Sequence, residues 1–304
     1  MHDWWGKPGC GGTPDCFRML DVGTGFKHSE GVYSKNTLET YRLIQYFRGR
    51  DHIHCVYSDN WKSIKKPCLN LGIMWEPSQP GVHHSNAVIE RCNQDIMYGA
   101  RTLMIEAGLP GCYWTYAQPC YCFNENICDS EEEPGISAYY KRFKKHYNGK
   151  AFPFGCGVFF KPAPTKYHQA KSWPAMVYGI FLGYQIGPGG KRTGRYLVAD
   201  LDDFVERDLS AEAASTDHNL YPQVTEQVEL GDWGIRFPLK SRYEWYNCTL
   251  EGRTASAWKA EEVAEGGTQE PDHIKERNEH LPQHLQIKPE QEGRGPPVEP
   301  PPNA

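Results

Sequence analysis

The stretch HCVYSDN, residues 54–60, decides how the first half of the chain is read. A short apolar run climbs through Cys55, Val56 and Tyr57 and stops at Ser58-Asp59-Asn60. That is the pattern of a short buried strand running into a turn. Asp and Asn suit turns because their side chains bond the local backbone. A carboxylate at the end of a buried strand is also where a fold can present a metal ligand. The flanking sequence has to separate the two readings.

Upstream, CFRMLDV (16–22) and GVYS (31–34) read as short strands, with Gly23 and Gly25 marking the turn between them. NTLETYRLIQYFR (36–48) reads as a helix. Asn36 caps it, Glu39 stands three residues on, apolar residues recur at helical spacing, and Gly49 ends it. Downstream, 60–69 is a short helix or loop, GIMWE (72–76) a strand, and Pro-Ser-Gln-Pro-Gly (77–81) a forced loop. A long helix is predicted over about 84–107, striped by Ile89, Cys92, Ile96, Leu103 and Ala107 and stopped by Gly108-Leu109-Pro110. A second helix covers about 111–125. Strands alternating with helices in this order predict a mixed α/β sheet with flanking helices, residues 1–128.

A charged linker, 129–150, follows, acidic in DSEEEP and then basic and aromatic in YYKRFKKHYNGK. KRFKKHY (141–147) suits backbone contact plus base stacking on a nucleic acid, or equally an amphipathic linker helix. From 151 to 249 the signals are all β: VFFK (158–161), MVYGIFLGYQI (176–186) and RYLVADL (195–201), with GPGGKRTG (187–194) as a hairpin loop. A small all-β barrel or open sheet is the economical reading. The last segment, 250–304, is rich in Glu, Pro and Gln and is expected to be disordered.

The net charge of −5 resides in that segment, which from Glu251 onward carries 11 acidic and 6 basic residues. The rest is neutral overall, so nucleic-acid binding requires local basic patches. The eleven cysteines include no CxxC pair and no zinc-like spacing, which predicts buried, reduced thiols. No apolar run approaches the roughly 18 residues of a membrane span. A soluble, intracellular protein without a membrane partner is expected.

Three acids stand at informative places: Asp3 in HDWWGKPG, Asp59 at a strand end, and Glu90 on the long helix in NAVIERCNQ. Metal-assisted phosphoryl transfer needs such a trio. Two ions about 3.5–4 Å apart activate the attacking oxygen and stabilise the leaving one. Mg²⁺ favours hard oxygen ligands and few protein carboxylates. Each acid also has a bland reading: Asp59 as a turn residue, Glu90 as a solvated helix position, Asp3 as a frayed terminus.

Several motifs agree in order. Asp59-Asn60 is followed by Ser78-Gln79-Pro80, then Asn86-Ala87-Val88-Ile89-Glu90-Arg91, then Ala107-Gly108-Leu109-Pro110, then Trp114. Further on come PFG (153–155), YGIFLGY (178–184) and RYLVADLDD. Together, over roughly residues 1–205, these resemble the integrase core and following β-barrel of copia-type retrotransposon polyproteins. The resemblance implies a ribonuclease H-like core and a D,D-E triad binding two Mg²⁺ or Mn²⁺ ions, with Asp59 and Glu90 as its second and third acids. It places three strands and a helix before the second acid, which assigns the first acid to Asp3 and keeps Asp21 as the fallback. It further implies DNA strand transfer, a homo-oligomer, a nuclear location, and a chain that is a fragment or decayed copy of a longer polyprotein.

Some positions depart from the pattern. Ala87 replaces the helix glycine, Trp61 stands where a small residue is usual, and Val82-His83-His84 precedes the helix. The expected DNA-facing residues are Asn60, Lys62, Lys65, Lys66, His84, Asn86, Arg91, Asn93 and Gln94, the lysines on phosphates. A non-catalytic nucleic-acid-binding remnant of the element is the alternative, and a metal-dependent nuclease a third reading.

Overall fold

The computed structural model describes residues 8–79, 86–130, 133–163, 172, 174–211, 213, 215–218 and 220–246. Contacts divide the chain after Gly252, and every described residue lies before that point. A membrane-length apolar helix is absent among them.

The first pair of strands is a hairpin, β1 (Asp15–Asp21) and β2 (Phe26–Val32), antiparallel with Asp21 opposite Phe26. Asp21 builds the turn. Its carboxylate accepts from the Gly23 amide at 3.0 Å and the Thr24 hydroxyl at 2.6 Å. β2 starts five residues earlier than its sequence suggests, because Lys-His-Ser-Glu reads as polar while its partners lie far along the chain. The Ser29 hydroxyl donates to Gln118 at 2.9 Å, and the Asn126 side chain takes both backbone groups of Lys27, at 2.8 and 2.7 Å. Asn126 thus covers part of the outer edge of β2.

Helix α1 (Thr37–Arg48) begins as expected, with Asn36 accepting from the Glu39 amide at 2.8 Å. β3 (Cys55–Ser58), α2 (Lys62–Asn70) and β4 (Met74–Pro77) follow. β3 and β4 pair in parallel, Cys55 opposite Met74 and Ser58 opposite Pro77. Their inner face joins Ile44 of α1 and Ile64 and Cys68 of α2 in one small cluster with Val56, Trp61 and Trp75. Among the described residues β1–β2 and β3–β4 remain separate two-stranded sheets.

Two long helices come next, α3 (Ala87–Ala107) and α4 (Trp114–Ile127). α3 stops at Gly108, whose φ of 71° is left-handed. Within the sequence-predicted linker lies α5 (Ala138–Phe143), capped by Ser137. It is a packed element. Arg142 is inserted between Phe26 and Phe47, its guanidinium 4.8 and 4.6 Å from their ring centres and its side chain 5% exposed. Phe143 meets Phe26 edge-on, and Tyr147 packs against Phe123. The aromatics of KRFKKHY are therefore largely spent inside the protein rather than on base stacking.

The second half is a five-stranded sheet of β5 (Gly157–Phe160), β6 (Val177–Gly187), β7 (Lys191–Asp200), β8 (Gln223–Thr225) and β9 (Val228–Glu229), in the order β8-β7-β6-β5-β9. α6 (Lys240–Tyr246) closes the described chain. A closed barrel is not formed, since β8 and β9 do not pair. Yet they are the two outer strands, and only Glu226 and Gln227 join them. Four inter-strand steps would set flat edges about 19 Å apart. Three Cα steps reach at most about 11 Å. The sheet must therefore curl until its edges nearly meet. The Gln227 carbonyl accepts from Lys161 at the junction, at 3.2 Å.

One buried cluster fills the curl and continues beneath α4, running from Cys10 through Trp114, Phe123 and Phe181 to Leu239. β6 is covered on both faces, which is why MVYGIFLGY reads as a nearly unbroken apolar run. The connection after β7 is pinned by His218, fully buried, between the Tyr113 hydroxyl at 3.2 Å and the Asp208 carbonyl at 2.7 Å. The carbonyl requires a donor, so Nε2 carries a proton.

Candidate metal and nucleic-acid site

β3 ends where the sequence predicts, and Asp59 is the first residue beyond it, exposed to solvent. The local backbone is held tightly. The Asp59 carbonyl accepts from the Trp61 amide at 2.6 Å, and the Ser58 hydroxyl accepts from the Trp75 indole at 3.0 Å. The carboxylate itself forms no ion pair among the described residues. Trp61, the departure from the usual small residue, is half-buried and lies 6.4 Å from the Phe17 ring, linking the end of β3 to β1.

The parallel register brings a second acid to this end of the strands. Glu76 stands opposite Tyr57 on β4, its carboxylate 3.9 Å from the Cys55 thiol, which it helps to hold above its ordinary pKa after partial burial. Sequence reading passed over Glu76, although a carboxylate one residue from the end of a neighbouring parallel strand is a readable signal.

Glu90 occupies the exposed first turn of α3 and makes no ion pair among the described residues. Arg91 and Gln94 are exposed beside it, while Asn86 and Asn93 are half-buried. The side-chain oxygens of Asn86 and Asn93 are buried without a hydrogen-bond partner. α3 packs on α4 and β1, whereas β3 and β4 pack on α1 and α2. Asp59 and Glu90 thus sit on elements with different supports. Among the described residues no three His, Cys, Asp or Glu side chains gather around a point that would hold a metal ion. Asp3 and His84 lie outside the described residues. The fallback Asp21 is engaged in its turn, both oxygens taken.

Lysines lie on the helix that follows Asp59. Asn60 is exposed next to Asp59, and Lys62, Lys65 and Lys66 are all exposed on α2, opposite buried Ile64 and Cys68. Their i, i+3, i+4 spacing puts them on one face. Lys65 lies 5.9 Å from the Trp75 ring centre. The uncommitted Asp59 carboxylate is a hard-oxygen donor of the kind a divalent ion takes, and the lysine face suits phosphate. No family model matches the chain, and no curated protein matches it.

Proposed function

We propose that this chain is an integrase-like domain of ribonuclease H-like fold that carries out metal-dependent DNA strand transfer. The observation that carries the reading is the placement of Asp59. An uncommitted carboxylate leaves the end of a parallel strand, next to a lysine face and one strand from Glu76. In this reading Asp3, Asp59 and Glu90 would hold two Mg²⁺ or Mn²⁺ ions. Bound ions would lower the pKa of the attacking hydroxyl and offset charge on the leaving oxygen. Lys62, Lys65 and Lys66 hold the DNA backbone, and Asn60, His84, Asn86, Arg91, Asn93 and Gln94 orient the strand. The curled sheet takes the part of the β-barrel that follows such cores. Two DNA ends must be joined, so a homo-oligomer acting in the nucleus is part of the proposal.

A second reading is a nucleic-acid-binding remnant without catalysis. It is favoured by the separation of β1–β2 from β3–β4 and by the different supports of Asp59 and Glu90.

The test is Mg²⁺- or Mn²⁺-dependent nicking and strand transfer on a labelled duplex, with wild type beside Asp59→Asn and Glu90→Gln. Loss of activity in both variants is expected, by a factor of a hundred or more. Folded wild type with no activity selects the remnant. Equal activity in all three proteins removes the acids from the mechanism.

A further inference from the structure

A cleft of about 690 Å³ opens where the end of α1 meets the β6–β7 hairpin. Arg42, Gln45, Tyr46 and Arg50 form one wall, Pro188 and Lys191 the other. The walls are fixed to each other. The Tyr46 hydroxyl donates to the Ile186 carbonyl. Gly49 has a left-handed φ of 57°, and a Cβ there would lie 2.7 Å from the Gly189 Cα. Only glycine permits so close an approach.

Three cations line this cleft, and the neighbouring acids are engaged elsewhere or at its rim. Asp51 is held by Arg142 at 3.2 Å, Glu30 by His28 at 3.3 Å, and Glu39 meets Arg42 at 3.4 Å on the surface. Arg50 and Lys191 are exposed and have no acidic partner among the described residues. Folding places them on one cleft from positions about 140 residues apart in the chain. Guanidinium groups suit phosphate oxygens through paired N–H donors, and an ammonium adds a point charge.

We propose that this cleft is a phosphodiester-binding site, with Arg50 and Lys191 each neutralising a phosphate of a nucleic-acid strand and Arg42 at its rim. The proposal rests on the nucleic-acid reading above but uses none of its acids or lysines. The test follows binding of a labelled DNA duplex by fluorescence anisotropy between about 50 and 200 mM salt. Wild type is compared with the double variant Arg50→Gln/Lys191→Gln, with Lys62→Gln/Lys65→Gln, and with Asp59→Asn; thermal melts check folding.

Losing two phosphate contacts should flatten the slope of log K against log salt by about 1.8. Affinity at low salt should fall roughly tenfold or more. Inorganic pyrophosphate, tested by its effect on the melting temperature, serves as the small-molecule probe. Unchanged DNA binding in the Arg50/Lys191 variant overturns the proposal. If pyrophosphate then raises the melting temperature of wild type alone, the cleft takes a free phosphate instead. Wild type that binds no DNA also overturns it. Normal binding by Asp59→Asn, with no nicking by any protein, removes the strand-transfer reading and leaves the cleft standing.

Discussion

Along β6, Ile180, Phe181 and Leu182 are completely buried, whereas along β3 Cys55 and Tyr57 are exposed and Val56 and Ser58 only half-covered. β6 lies inside a curled five-stranded sheet with α4 against it; β3 belongs to a pair backed by a few side chains of α1 and α2. A two-stranded sheet alone is marginal in water, and one with a covered face still has two edges to protect. The region with Asp59 and Glu76 is thus the thinly supported one, and the heavily packed region carries the scaffold and, on α3, Glu90. Sites that must exchange ligands are drawn from the less stable parts of a fold, so the distribution is consistent with a working site as well as with a decaying one.

The largest effect should separate the two regions directly. Phe181→Ala removes a fully buried ring and should cost about 3–5 kcal/mol, while Val56→Ala should cost less than about 1.5 kcal/mol. Urea unfolding of both variants measures this. Similar losses would mean that β3 is supported as firmly as β6.

Next come two glycines of matching backbone. Gly108 and Gly72 have φ of 71° and 67°. A Cβ on Gly108 would lie 2.5 Å from the Lys240 Cα, whereas one on Gly72 would meet nothing within 4 Å. Gly72→Ala should cost about 1 kcal/mol, the left-handed penalty alone. Gly108→Ala should cost about 2 kcal/mol or more beyond that, because backbone must move. Equal melting temperatures in the two variants would remove the close packing of α6 against the end of α3.

The last effect is a slope with pH. Burial pushes the Cys68 thiol up to about 11 and the Cys156 thiol up to about 12, from an ordinary value of 9.0. The folded state therefore holds these protons more tightly than the unfolded chain. Their contribution is fully present below pH 9 and is lost as pH rises toward 11 and 12. Each group should remove about 1 kcal/mol per pH unit in that window. Urea midpoints at pH 8 and pH 10.5 measure the fall. Cys68→Ser reduces the slope if the N-terminal cluster is as dry as the curled sheet, and leaves it unchanged if water reaches Cys68 first.

What was legible in the sequence was what is local. The Asn36 cap, the Gly49 and Gly108 stops and the long apolar run of β6 each follow from a few adjacent residues. β2 was misread because its Ser29 hydroxyl and its Lys27 backbone are satisfied by Gln118 and Asn126, some ninety to a hundred residues on. Of the expected barrel or open sheet, the two outer strands escaped notice because β8 and β9 are too short to register as strands, and it is their two-residue link that bends the sheet. Asp59 and Glu90 could be picked out by type and position, but not where packing sends them. The cleft was invisible for the same reason, since Arg50 and Lys191 mean nothing apart.

The joint between α1 and the β6–β7 hairpin has a consequence for synthesis. Tyr46 and Ile186 are 140 residues apart. At roughly 5–20 residues per second, α1 leaves the ribosome on the order of ten seconds before the hairpin it docks on. The hairpin, closed by a three-residue turn, forms as soon as it emerges. During the wait the apolar stripe of α1, with Leu43 and Phe47, has only its own neighbourhood to cover it. Pulse proteolysis of nascent chains stalled before and after residue 190 would report this as sensitivity near α1 that disappears in the longer chain. The newborn protein thus spends its most vulnerable interval with its N-terminal third made but not yet anchored, which is when a chaperone has most to do.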